Sequence, residues 1–214
     1  MSTTAATENT AGQDALRAAA RACGFAPARD HFLFLRHGRT PGNIARVYQH
    51  PDIPLAPEGF ADAEAAAQAL AKVDFDHIFA SDMARAWLTA GRVADVTGRP
   101  VRLCRALRER YFGDFIGTSS VGLDWRIDPP NGETMLGFIE RTARGVESLL
   151  APGPAPLLVS HGGVLRVLAG ALDVELDETM TANGAPLEFT RDGARWRVKL
   201  LAMPLLVSQQ LGAA

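Results

Sequence analysis

The sequence predicts an α/β fold: a three-layer, doubly wound, mainly parallel sheet with helices on both faces. Three observations carry that prediction. Apolar runs of strand length alternate with longer stretches of helical period. Glycine and proline punctuate the boundaries between them. Two of the apolar runs end alike, in a polar residue, a histidine and a glycine.

Taken in order, residues 1–10 are dominated by Ser, Thr, Ala, Glu and Asn and are expected to be disordered. Residues 12–23 suit an Ala-rich helix stopped by Gly24. Its apolar face is alanines and Leu16, so only weak docking is expected. Residues 1–30 therefore read as an N-terminal extension, and 31–214 as a single domain. The first strand is 31–35 (HFLFL), ended by Arg36-His37-Gly38. A helix over 58–72 follows, then a buried strand over 77–80. The next helix, 82–97, is closed by Gly98 and Pro100. Residues 101–104 give a third strand, and 105–132 are irregular and rich in Gly and Pro. A helix over 133–150, a strand over 156–160 and a helix over 163–172 complete the alternation. Residues 186–191 and 195–201 alternate in polarity and join at Asp192-Gly193, the mark of a hairpin or edge strands.

The 214 residues suit one sizeable domain, and 47% hydrophobic with 21% charged residues is the balance of a soluble globular chain. A net charge of −2 gives no reason to expect a nucleic-acid partner. Lys72 and Lys199 are the only lysines among 22 basic residues, so nearly all positive charge is guanidinium. Cys23 and Cys104 form neither a disulfide framework nor a metal-binding spacing. No run has the length of a membrane span, and Arg17 and Arg21 interrupt the only stretch resembling a secretory core. A cytoplasmic protein without membrane or nucleic-acid partners is expected. The apolar pairs Leu200-Leu201 and Leu205-Leu206-Val207 suit the core better than a subunit contact, and oligomeric state is left open.

The matched strand ends are the most informative feature. In open α/β sheets, ligands bind beyond the carboxyl ends of strands, where both His37 and His161 fall. Gly38 and Gly162 let the backbone turn and a ligand approach. Arg36 and Arg39 flank His37, disfavouring a metal cation and favouring an anion whose oxygens match the guanidinium fork. Arg85 sits early in the helix after the second strand, and helical side chains lean toward the N-terminus, so it reaches the same rim. The helix after Gly162-Gly163 turns its first N–H groups toward such an anion. Singly, each residue has a plainer reading: a packed histidine, a surface Arg85, Ser81 as an N-cap. Jointly they describe a phosphoryl-transfer site, where catalysis is positioning plus charge stabilisation. A metal centre on His37 and His161 would need a third ligand and would have to tolerate Arg36. Walker A, H-E-x-x-H, G-x-G-x-x-G and G-x-S-x-G patterns are absent, so no metal or cofactor is expected. His31, His50 and His77 carry no motif, and Trp87, Trp125 and Trp196 read as packing residues.

These segments resemble the histidine phosphatase superfamily, on its phosphoglycerate mutase-like branch, over about residues 31–200. The resemblance rests on Leu35-Arg36-His37-Gly38-Arg39-Thr40 with Asn43, on Ser81-Asp-Met-Ala-Arg85, on Leu107-Arg108-Glu109 before Phe112-Gly113, on Pro130-Asn131-Gly132-Glu133-Thr134, and on Val159-Ser160-His161-Gly162-Gly163. It implies that His37 is the nucleophile and carries a phosphohistidine. It implies that Arg36, Arg85 and His161 hold the phosphoryl oxygens, with Thr40, Asn43 and the Gly162 N–H in support. Relatives with an Asp directly after the second histidine use it as the acid. Gly162 stands there, so Glu109 becomes the expected proton donor, against a plainer role in a salt bridge with Arg108 or Arg110. Two departures stand out. Leu55-Ala-Pro-Glu-Gly59 lacks the family's usual Thr, and the expected Gln before Ala63 is Asp62. The 117–130 segment is short where many relatives carry cap material, so a more open site is expected.

The expected function is hydrolysis of a small phosphorylated metabolite. A phosphoglycerate-type mutase is the first alternative, but it needs a lid to keep water from the intermediate. A non-catalytic module binding a phospho-ligand or a protein is the second, and it does not explain why both histidines and the arginines are present.

Overall fold

The computed structural model describes residues 9–205. Six strands form one sheet: β1 (His31–Arg36), β2 (His77–Ala80), β3 (Val101–Leu103), β4 (Pro156–Ser160), β5 (Pro186–Asp192) and β6 (Arg195–Leu200), in the order β3-β2-β4-β1-β5-β6. β3, β2, β4 and β1 run parallel. β5 is antiparallel to both β1 and β6. The last two strands are thus a hairpin added beside β1. Only Gly193 and Ala194 separate them, too few residues for a crossover. Gly193 takes φ 61°, as a two-residue II′ loop requires at its first position.

β4 is buried along its whole length and β1 at its four inner positions, as strands covered on both faces must be. Alternation along β1 sorts its side chains into two cores. Leu33 and Leu35 join Ile78, Val159 and Leu70 on one face, under helices α3 (Pro57–Leu70) and α4 (Ala84–Thr97). Phe32 and Phe34 join Leu158, Phe138, Leu165 and Leu187 on the other. There they meet α5 (Met135–Leu149), α6 (Gly162–Ala171) and α1 (Thr10–Arg21).

The packing of α1 corrects the expectation that it lies outside the main fold. Leu16 and Ala20 are fully buried in the second core. The alanines are the means of docking, because small side chains let two helices approach closely. A Cβ on Gly170 of α6 would come 3.0 Å from both the Ala20 Cβ and the Arg17 carbonyl. Arg17 pairs with Asp173 and Glu175, and Arg21 with Asp173, at the rim of this contact. Residues 1–8, part of the stretch expected to be disordered, lie outside the described residues, as do Leu206 and Val207. Leu200 and Leu201 pack against the core as expected. Trp87, expected to pack, is 45% exposed. It lies just off the stripe of Ala86, Ala90 and Val93 that α4 turns inward.

Two features of the loops went unread in the sequence. One is the short helix α2 (Pro41–Ala45), capped by a reciprocal Thr40–Asn43 box with Pro41 in its first turn. The other is the order within 105–132. Its hub is Arg110, a fully buried guanidinium that donates to the carbonyls of Glu133, Trp125 and Ile127 and to Asp128. Among the described residues, no helix is long and apolar enough to cross a membrane.

Candidate active site

Parallel pairing of β1 with β4 sets Arg36 beside Ser160, so the next residue of each strand, His37 and His161, leaves the sheet at one place. The His37 N–H donates to the Ser160 carbonyl at 2.9 Å. The two imidazoles stand edge to face, with centroids 5.0 Å apart, and both are buried. Behind them, Gly38 packs backbone to backbone on the first turn of α3. A Cβ at Gly38 would lie 2.2 Å from the Gly59 carbonyl oxygen, so no larger residue fits.

His37 Nδ1 lies 2.7 Å from the Gly38 carbonyl oxygen. A carbonyl only accepts, so we assign the proton to Nδ1 and the lone pair to Nε2. His161 Nε2 lies 2.9 Å from Ser81 Oγ, which also accepts the Met83 N–H. His161 Nδ1 and Arg85 Nε are buried with no hydrogen-bond partner among the described residues. Such orphans are uncommon in proteins, and a bound oxyanion would satisfy both.

The charges in the site act on the imidazoles. Burial, then Arg85 and Arg36, push His37 well below the usual histidine value, against the Gly38 hydrogen bond. Burial, then Arg85, His37, Arg36 and Arg141, do the same to His161. Burial lowers Arg85 to about 10, opposed by Glu109, so the guanidinium keeps its charge at neutral pH. The histidine shifts carry a sign. The folded state stays neutral where the unfolded chain, with histidines near 6.5, takes up protons. Stability from these groups is therefore complete above about pH 6.5 and declines as pH falls toward the depressed folded values. We expect the melting temperature to drop between pH 7 and 5, and to drop less steeply in His37→Gln. Equal slopes in calorimetric scans would contradict this.

Glu109 lines the same cavity, of 420 Å³, as Arg36, His37, Asn43, Arg85 and Gly162. Its Oε2 accepts the Gly163 N–H at 2.9 Å and its Oε1 the Arg110 N–H at 3.0 Å. The salt bridge considered for it does not form, because Arg108 pairs with Asp82 and Arg110 with Asp128. Gly163 must be glycine for this contact, since a Cβ there would meet Glu109 Oε1 at 2.1 Å.

Arg39 departs from expectation. It does not line the cavity. Its Nε and one terminal nitrogen each sit 2.8 Å from an oxygen of Asp62 on α3, and its backbone N–H donates to the same carboxylate. The buried Asp62 draws it away from the cavity and ties the His37 loop to α3. Cutting this pair should be costly, because it leaves a largely buried guanidinium alone. Asp62→Ala is expected to lose about 3 kcal/mol in urea unfolding, and a loss under about 0.5 kcal/mol would contradict the account. Thr40 also stays behind the cavity wall, where its hydroxyl donates to Asn43 Oδ1 at 2.8 Å.

Two residues of the site escaped the sequence reading. Ser81 is not the N-cap of α4, a place taken by Met83, but the partner of His161. Asn183 lines the cavity and donates to the His37 carbonyl at 2.9 Å and to Asn43 Oδ1 at 3.2 Å. The serine had a signal in its place at the end of β2. Asn183 lies in a loop without a motif. Among the described residues, no three His, Cys, Asp or Glu side chains converge as metal ligands.

The family model of the histidine phosphatase superfamily (branch 1) matches residues 32–203. The chain belongs to the histidine phosphatase superfamily. Its relatives there include the glucosyl-3-phosphoglycerate phosphatase of Mycobacterium tuberculosis, 32% identical over 164 residues, or 65% of this chain and 74% of that one. The adenosylcobalamin/alpha-ribazole phosphatase of Salmonella typhimurium is 32% identical over 155 residues, 64% of this chain and 77% of its own. The solved structure of mycobacterial glucosyl-3-phosphoglycerate phosphatase with VO3 superposes with a TM-score of 0.68 at 28% identity, covering 80% of this chain and 98% of that one. The α/β architecture is accordingly that of the phosphoglycerate mutase-like fold. Helix α1 lies ahead of the span that the histidine phosphatase model matches.

Proposed function

We propose that this chain is a phosphatase that hydrolyses a small phosphomonoester through a phosphohistidine on His37, with Glu109 as proton donor and without a metal ion. The observation that carries the reading is the His37 Nδ1 contact with the Gly38 carbonyl, 2.7 Å, which leaves a bare Nε2 in a pocket with Arg36 and Arg85. In the first step Nε2 attacks phosphorus, the ester P–O bond breaks, and the Glu109 carboxyl protonates the leaving oxygen. Arg36, Arg85 and His161 stabilise the charge spread over the remaining oxygens. In the second step the Glu109 carboxylate takes a proton from water as the water oxygen attacks phosphorus. The N–P bond breaks, releasing phosphate and restoring His37 and protonated Glu109. Hydrolysis is favoured over mutase chemistry because the short 117–130 segment offers little to keep water from the intermediate. The two free cysteines, Cys23 and Cys104, suit a reducing cytoplasm.

The test is turnover of 4-nitrophenyl phosphate with and without EDTA, together with quenching in alkaline SDS after labelled substrate. Chelator-resistant release of phosphate and an acid-labile, base-stable protein label are expected. Activity restored only by a divalent cation would sink the metal-free mechanism.

A further inference from the structure

Helix α1 reaches the active site from a part of the chain ahead of the family span. Its Gln13 lines the cavity over His37, and the preceding Gly12 packs on the short segment whose Trp125 lines that cavity too. A Cβ on Gly12 would lie 2.8 Å from the Trp125 backbone N and 2.7 Å from Asp124 Oδ1. Asn9, the N-cap of α1, also bonds the Asp124 side chain. Trp125 is thus held from two sides, because Arg110 donates to its carbonyl at 3.0 Å. Its side chain is buried and lies nearly parallel to the ring of Phe138 on α5, centroids 6.0 Å apart. The far edge of the indole ends beside Glu109. A Cβ on Gly163 would meet Glu109 Oε1 at 2.1 Å and Trp125 Cη2 at 2.8 Å, so carboxyl and indole edge crowd the same point at the start of α6.

We propose that Trp125 is a positioning residue for Glu109, fixing its carboxyl toward the leaving oxygen of the ester, and that α1 sets the position of Trp125. The inference rests on the reading of Glu109 as proton donor. A donor has to come within hydrogen-bond reach of the oxygen it protonates, and a misplacement of about 1 Å is costly. The backbone N–H groups of Gly163 and Arg110 hold the two carboxylate oxygens, and the indole edge limits how far the group can turn. The 117–130 segment is short, so the backing that keeps Trp125 in place comes from a helix outside the family span.

The test is the rate of phosphoenzyme formation, by rapid quenching in alkaline SDS, with butyl phosphate and with 4-nitrophenyl phosphate. Trp125→Phe keeps an aromatic ring near Phe138 but withdraws the edge beside Glu109. At saturating ester it is expected to slow the butyl phosphate reaction roughly tenfold or more and the 4-nitrophenyl phosphate reaction about threefold or less, with half-saturating concentrations little changed. Gly12→Ala improves the helix itself but drives a methyl group against the Trp125 backbone, and should show the same selectivity to a smaller degree. In a Glu109→Gln background, Trp125→Phe should add no more than about twofold for butyl phosphate, since the group it positions is gone. Equal slowing of both esters in Trp125→Phe, or an undiminished effect in the Glu109→Gln background, would overturn the positioning role while a leaving-group-dependent loss in Glu109→Gln upheld the acid. An unselective or unaltered Gly12→Ala would overturn the part assigned to α1. No leaving-group dependence in Glu109→Gln itself would overturn both readings.

Discussion

His37→Ala is expected to lose turnover of every phosphomonoester by about 10⁴-fold or more, because removing a covalent nucleophile leaves only binding and charge stabilisation. The neighbouring imidazole offers no substitute. His161 has Nε2 on Ser81 Oγ, and its ring is 5.0 Å from that of His37. Deleting a buried side chain also opens a small cavity, so the variant is to be compared by circular dichroism and by phosphate binding. Retained phosphate affinity with no turnover and no acid-labile label is the expected outcome. A labelled His37→Ala protein would mean that another residue carries the phosphoryl group.

Glu109→Gln is expected to show an effect that depends on the leaving group. An alkoxide needs a proton as the P–O bond breaks, whereas 4-nitrophenolate leaves without one. Formation of the phosphoenzyme should fall about 10²–10⁴-fold with an alkyl phosphate and by roughly tenfold or less with 4-nitrophenyl phosphate. Since the same carboxylate activates water in the second step, 4-nitrophenyl phosphate should give a burst followed by slow turnover. Glutamine keeps an acceptor for the Gly163 N–H. Its NH2 meets the Arg110 N–H, which costs about 1 kcal/mol as one hydrogen bond is lost, so the fold should persist. Equal losses with both esters would show that Glu109 does not act as the acid.

Most of the sheet was legible because each parallel strand is short, apolar and followed by a helical period, so local pattern and long-range pairing agree. The strand ends His37-Gly38 and His161-Gly162 were legible for the same reason. Where β1 and β4 stop fixes where the histidines sit, whatever the loops do. Arg85 was legible from its place in the first turn of a helix. The loops were less so. Thr40 and Asn43 stood out as motif residues, yet their capping box became visible only as a helix. In the 105–132 segment the organising group is Arg110, whose partners lie 15 to 23 residues away and have no period to announce them.

By itself the sequence determined the α/β class, the pair of histidines and the placing of Arg36 and Arg85 at the same rim of the sheet, since those follow from what a strand or helix does at its end. Only the tertiary structure decided which way side chains in the turns point and what covers them. Arg39 is next but one to His37 in the chain, yet a buried Asp62 on α3 draws its guanidinium from the site, while Ser81 and Asn183 enter it from other loops. Alanines that look too small to dock α1 let it reach α6 at backbone distance. That approach makes Gln13 a wall of the site. The reason is common to all three: an isolated side chain has several directions open to it, and the choice is made by the partner that packing brings near.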